Sequence, residues 1–164
     1  MNVRKDEVRL PNGVILPEFH VVEYPDWVSV LAVTDDRKVV LVEQYRHGVE
    51  SVSLELPAGR IDRAENPESA AVRELEEETG YVADDLRLIG TCAPEPAKHN
   101  NFAHLYFSGN VKRKGIARPD ASEDIQVCLL PVAELDTAIN ENRFIHGIHI
   151  TAILWARLRG WLDQ

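Results

Sequence analysis

Apolar positions along the chain change period partway through. From Val28 to Thr34 and from Val39 to Tyr45 they form nearly unbroken, β-branched runs separated by Asp35-Asp36-Arg37-Lys38, which predicts a pair of strands joined by a hairpin. Two shorter apolar segments between Val8 and Leu16 flank Pro11-Asn12-Gly13, and Asn-Gly in that setting predicts a two-residue hairpin. Pro57-Ala58-Gly59 then breaks the strand pattern. Asn66 supplies a helix N-cap, Pro67 a first-turn proline and Gly80 a left-handed stop, so a helix is predicted over 67–79. Further strands are predicted at 86–92, 102–109 and 125–130. Helical patterns follow at 132–141 and 147–161, the last carrying Ile148, Ile150, Ile153, Leu154, Trp155 and Leu158. Many strands interrupted by one helix and closed by C-terminal helices predict an α+β domain, layered α/β/α, around a mixed sheet.

Composition narrows the function classes. At 164 residues and 45% hydrophobic content the chain has the size of one domain with a sizeable core. Eighteen Lys and Arg stand against 27 Asp and Glu, a net charge of −9, which excludes a nucleic-acid backbone as partner and means that a phosphate substrate needs metal ions to approach. No apolar run reaches membrane-span length and none follows the basic residues near Met1, so no membrane association and a cytoplasmic location are expected. Cys92 and Cys128 lie in apolar stretches without metal-ligand spacing and are expected to be reduced core residues.

At about 100° per residue, Glu74, Glu77 and Glu78 share one face of the predicted helix while Glu76 points to the opposite side. Like charges at that spacing oppose the helix, and clustered carboxylates suit a hard cation such as Mg²⁺. An acidic stretch alone is more commonly a solvated surface. Here, however, Gly59, Glu65, Arg73, Glu74, Leu75, Glu77, Glu78 and Gly80 stand at the spacing G-x5-E-x7-R-E-U-x-E-E-x-G-U, with U a bulky apolar residue. This resembles the Nudix box. Tyr81, in place of the usual aliphatic residue, is the one departure.

The resemblance implies that Glu74, Glu77, Glu78 and the carbonyl of Ala58 hold Mg²⁺, with Mn²⁺ as a substitute, and that Gly59, Glu65 and Arg73 support them. Glu43-Gln44-Tyr45-Arg46 followed by Glu55-Leu56-Pro57-Ala58-Gly59 is similar to the branch that hydrolyses ADP-ribose and nucleoside-diphosphate sugars, over roughly residues 20–160. Pro96, fifteen residues beyond the box, matches a marker of ADP-ribose hydrolysis in that branch, whereas Lys98-His99-Asn100-Asn101 stands where acidic residues are common. GDP-mannose or another nucleotide sugar therefore stays open as the substrate. Glu123, before the strand at 125–130, is the candidate general base, with Glu77 and Asp124 as alternatives. Candidate substrate contacts are Arg46 on phosphate, Trp27 on a base, Pro96 and His99; a surface ion pair, core packing, a strand-ending proline and an exposed loop histidine are the respective structural alternatives.

The expected reaction is metal-dependent hydrolysis of a small-molecule nucleotide sugar to a nucleoside monophosphate and a sugar phosphate. A non-catalytic nucleotide-binding module on the same fold is a second reading, and an isoprenoid diphosphate isomerase, which would need Cys92 for acid/base work, a third. Members of the branch commonly pair through N-terminal strands, so residues 1–25 are expected to form a homodimer contact preceding a catalytic domain at 26–164.

Overall fold

The computed structural model describes residues 2–118 and 124–163. Strands β1 (Asn2–Arg9) and β2 (Ile15–Glu23) form an antiparallel two-stranded sheet. Their connection is a five-residue loop, not the two-residue turn expected from Asn-Gly. Gly13 takes a φ of 87°, Leu10 N–H donates to the Val14 carbonyl, and the Asn12 side chain accepts from Val14 N at 3.1 Å, so Asn12 closes a local turn of its own.

The second sheet holds β3 (Trp27–Thr34), β4 (Lys38–Arg46), β5 (Ser51–Glu55), β6 (Ala58–Arg60), β7 (Tyr81–Ala83), β8 (Arg87–Cys92), β9 (Ala103–Arg113) and β10 (Ile125–Pro131). It is mixed: β3 runs parallel to β9, with Trp27 opposite Ala103, while the other pairings are antiparallel. β3 and β4 pair directly only at Ala32–Val40 and Val33–Val39, then part, and β6 pairs with β3 and β5 with β4 along the portions that separate. That split opens the sheet at the functional site.

β3 is buried on both faces, and its side chains alternate between two cores with the strand's period of two. Val28, Val30 and Ala32 pack with Ala70, Ala71 and Leu75 of helix α1 (Pro67–Thr79). Leu31 and Val33 pack toward α2 (Leu135–Asn140) and α3 (Gly147–Leu158), which contribute Leu135, Ala138, Ile148, Ala152, Ile153 and Ala156. Burying each Leu or Ile here contributes about 1.5–3 kcal/mol before entropic costs. Helices on both faces of a mixed sheet give the expected layered α+β arrangement.

The 67–79 helix has the predicted ends. Asn66 accepts from Ser69 N at 2.9 Å, and Gly80, at φ 73°, sends its N–H to the Glu76 carbonyl. The pattern at 132–141 resolves into a 3-10 turn, Val132–Glu134, followed by the short α2, and α3 ends at Leu158 rather than at 161. Among the described residues no helix is long and apolar enough to cross a membrane. Cys92 and Cys128 are free and partly buried, and desolvation raises the pKa of both thiols, that of Cys128 to about 11.

Candidate active site

α1 lays its acidic face along the opening between β3 and β4. Glu74, Glu77 and Glu78 line a polar cavity of about 540 Å³ with Ala58 and Gly59 of β6, Trp27 of β3, and Gln44 and Arg46 of β4. Glu76 is exposed and outside that cavity, as its angle on the helix requires. Glu78 is 3% exposed and its Oε2 accepts from the Ala58 N–H at 3.1 Å. A Cβ on Gly59 would collide with the Glu74 carboxyl group, so this position admits only glycine if Glu74 keeps its place.

Arg73 braces the set. Its Nε and Nη2 donate to the two oxygens of Glu65 at 3.1 and 3.0 Å, Nη2 also reaches the Arg60 carbonyl at 3.0 Å, and Nη1 donates to Glu74 at 2.8 Å and Glu77 at 3.1 Å. Glu65 additionally accepts from Asp62 N, which ties the loop back to the helix. These bonds, that to Glu65 foremost, hold the Arg73 guanidinium more firmly protonated than usual and lower the Glu65 carboxyl.

The donor set fits a hard divalent cation, since its groups are carboxylate oxygens facing one polar cavity. Among the described residues no three acidic, histidine or cysteine side chains close into a cage of their own. An open set of that kind suits Mg²⁺, which keeps waters and shares its coordination with substrate phosphates.

Of the predicted contacts, Arg46 and Trp27 line the cavity. Arg46 reaches it, but one edge of its guanidinium is already taken by Glu55, through Nε at 2.9 Å and Nη2 at 2.6 Å. Trp27 lines both the cavity and an adjoining slot of about 260 Å³ shared with Tyr24, Pro94, His99, Asn101, His146 and Ile148. His99 stands in that slot with its ring 5.1 Å from Tyr24. Pro96 is exposed on the same loop, and Pro94 supplies the proline of the slot. Asp124 is exposed just before β10, and Glu123 lies outside the described residues.

Glu55, Ser29, His146 and His149 escaped the sequence reading as site residues. Burial alone would raise the Glu55 carboxyl, but hydrogen bonds from Arg46 and His149 outweigh it and hold the group at about 2. Burial, then the neighbouring His149, pushes His146 down to about 4. Glu55 sits in the Glu-Leu-Pro-Ala-Gly motif and could have been singled out there. His149 is embedded in an apolar helix, and no local pattern marks it.

A split mixed sheet that carries a strand–loop–helix carboxylate site is the arrangement of a hydrolase, with a donor set open to a divalent cation. The NUDIX domain model matches residues 23–148, and the chain belongs to the Nudix family as a Nudix hydrolase of the ADP-ribose pyrophosphatase branch. It is 33% identical over 97% of its length to a methanol dehydrogenase activator of Bacillus methanolicus, covering 86% of that protein. It is 40% identical over 63% of its length to an ADP-ribose pyrophosphatase of Bacillus subtilis, covering 55% of it, and 31% identical over 93% to one of Mycobacterium tuberculosis, covering 74%. A crystal structure of an ADP compounds hydrolase superposes with a TM-score of 0.83 at 24% identity, over 98% of this chain and 85% of that one, which shows the shared fold.

Proposed function

We propose that this protein hydrolyses the diphosphate of ADP-ribose or a related nucleoside-diphosphate sugar, releasing a nucleoside monophosphate and a sugar phosphate. The observation that carries the reading is the adjacency of the carboxylate cavity to the aromatic slot through Trp27. A diphosphate and a planar base, joined through a ribose, need a polar chamber next to an apolar one. The relatives named ADP-ribose pyrophosphatases support it.

In this reading Glu74, Glu77, Glu78 and the Ala58 carbonyl hold Mg²⁺ or Mn²⁺, which neutralises phosphate charge and lowers the pKa of bound water when present. Arg46 pairs with diphosphate oxygens, Trp27 and His99 hold the base, Arg73 and Glu65 keep the glutamates in register, and Glu123 takes the proton of the attacking water. Separate roles for the base and the glutamates follow because carboxylates committed to a cation are poor proton acceptors. The test is a panel of nucleotide sugars incubated with purified protein and Mg²⁺. Monophosphate release, with ADP-ribose among the best substrates, supports the reading, and its absence across the panel sinks it.

The similarity to a methanol dehydrogenase activator over 97% of this chain favours a second reading, in which hydrolysis by this chain modulates a dehydrogenase. Added wild-type protein should then raise the rate of an alcohol dehydrogenase, and Glu78→Gln should not. Equal rates with either protein would remove this reading and leave the first untouched.

A further inference from the structure

The polar chain that begins at the cavity with Arg46 continues into the protein interior. Glu55, at the end of β5, is 1% exposed and takes two hydrogen bonds from the Arg46 guanidinium. His149, on α3 and 2% exposed, places Nε2 3.2 Å from the Glu55 oxygen that also receives Arg46 Nη2. Its Nδ1 lies 3.2 Å from the hydroxyl of Ser29, a fully buried residue of β3.

The chemistry of the groups fixes the direction of the bonds to Glu55. Glu55 is ionised and can only accept, so Nε2 of His149 carries a proton. The other ring nitrogen, Nδ1, bonds the Ser29 hydroxyl, a group able to donate or accept. Serine, histidine, glutamate and arginine thus form one hydrogen-bonded chain from β3 through α3 and β5 to the cavity, with Arg46 and His149 both donating to Glu55. A carboxylate and an imidazole buried this deeply are costly to desolvate, and well-packed apolar residues would serve stability as well or better. Fixing the orientation of Arg46 is what such a chain supplies and apolar packing does not. A guanidinium is a rigid planar fork, so a carboxylate locked against one edge sets the angle of the other.

We propose that His149 is a positioning residue for diphosphate recognition: by holding Glu55 in plane with the Arg46 guanidinium, it aims Arg46 at the substrate. This rests on the reading of Arg46 as a diphosphate contact. His149 touches neither substrate nor metal in this role.

Steady-state kinetics with ADP-ribose and saturating Mg²⁺ test it on His149→Leu, His149→Gln, Arg46→Ala and the double variant His149→Leu/Arg46→Ala. His149→Leu should raise KM about tenfold or more with kcat within about threefold, the pattern of lost substrate binding from one buried hydrogen bond. His149→Gln, whose amide can still donate to Glu55, should return KM to within about threefold of wild type. In the Arg46→Ala background the leucine change should add no further rise. If Arg46→Ala leaves KM unchanged, the diphosphate reading of Arg46 fails and takes this proposal with it. If Arg46→Ala raises KM but His149→Leu matches wild type, if glutamine does as badly as leucine at equal thermal midpoint, or if the two effects simply add, the reading of Arg46 stands and the role of His149 is overturned. Should His149→Leu not fold, Ser29→Ala replaces it, and an unchanged KM there also overturns the proposal.

Discussion

Glu78 is the most enclosed of the three glutamates facing the cavity, bonded to the Ala58 amide, while Glu74 fills the space that a side chain at position 59 would need. Both lose a negative donor but keep their size on change to Gln, so turnover should drop by orders of magnitude at unaltered fold, whereas exposed Glu76→Gln should stay near wild type. Equal small effects at all three would contradict the placement. Glu123→Gln should lower kcat about 10²–10⁴-fold with substrate binding kept, the range for a lost general base; a rate above half of wild type would acquit it. Two other residues, both largely buried, contribute to the acid response. Glu55, ordinarily near 4.5, sits at about 2 in the folded protein, so its contribution to stability is whole above pH 4.5 and drains away as pH falls toward 2. His146, ordinarily near 6.5, sits at about 4, so the unfolded chain takes up its proton first and stability declines as pH falls from 6.5 toward 4. Urea midpoints should follow that course, and His146→Asn should flatten the segment between pH 6.5 and 4; an unchanged slope in the variant would assign it elsewhere.

At the scale of elements, α1 depends on its ends as much as on its buried face. Asn66→Ala removes the side-chain acceptor at Ser69 N and should cost about 1 kcal/mol in denaturant unfolding. Gly80→Ala should cost more, because φ is 73° there and the new Cβ meets the Gly115 backbone; a smaller loss at 80 than at 66 would refute this ordering. Those two signals, a capping asparagine and a terminal glycine, are local, so the helix and its acidic face are legible in the amino-acid sequence. β5, β6 and β7 are not. Two of them have three residues, too few to show a period, and all are specified by the neighbours they pair with. The Asn12-Gly13 signal places its hairpin correctly but with the wrong loop, since the Asn12 side chain competes with a tight turn. At the site, the box glutamates and Arg73 announce themselves through spacing. Ser29, Glu55 and His149 cannot, because they lie on β3, β5 and α3 and meet only through tertiary packing.

For the whole molecule, β1 and β2 form a sheet of their own, which two strands rarely sustain alone in water. Val22 N bonds the Lys98 carbonyl at 2.7 Å and Tyr24 N bonds the Asn100 side chain at 3.1 Å, next to the slot that holds His99. We expect the hairpin to gain its remaining support from a second copy. Deleting residues 1–22 should therefore yield a monomer by light scattering, with KM raised through the loosened slot; full-length protein that is already monomeric at micromolar concentration would count against this. The parallel pairing of β3 with β9 bears on the order of events in folding. Trp27 and Ser29 belong to a strand whose partner is synthesised only after α1 and five intervening strands. A contact so distant in sequence carries a large loop-closure entropy and forms late. On dilution from denaturant the helical far-UV signal should return first and protection of the β3 amide hydrogens from exchange last, so a partly refolded chain would own its acidic helix well before it owned anything for that helix to act upon.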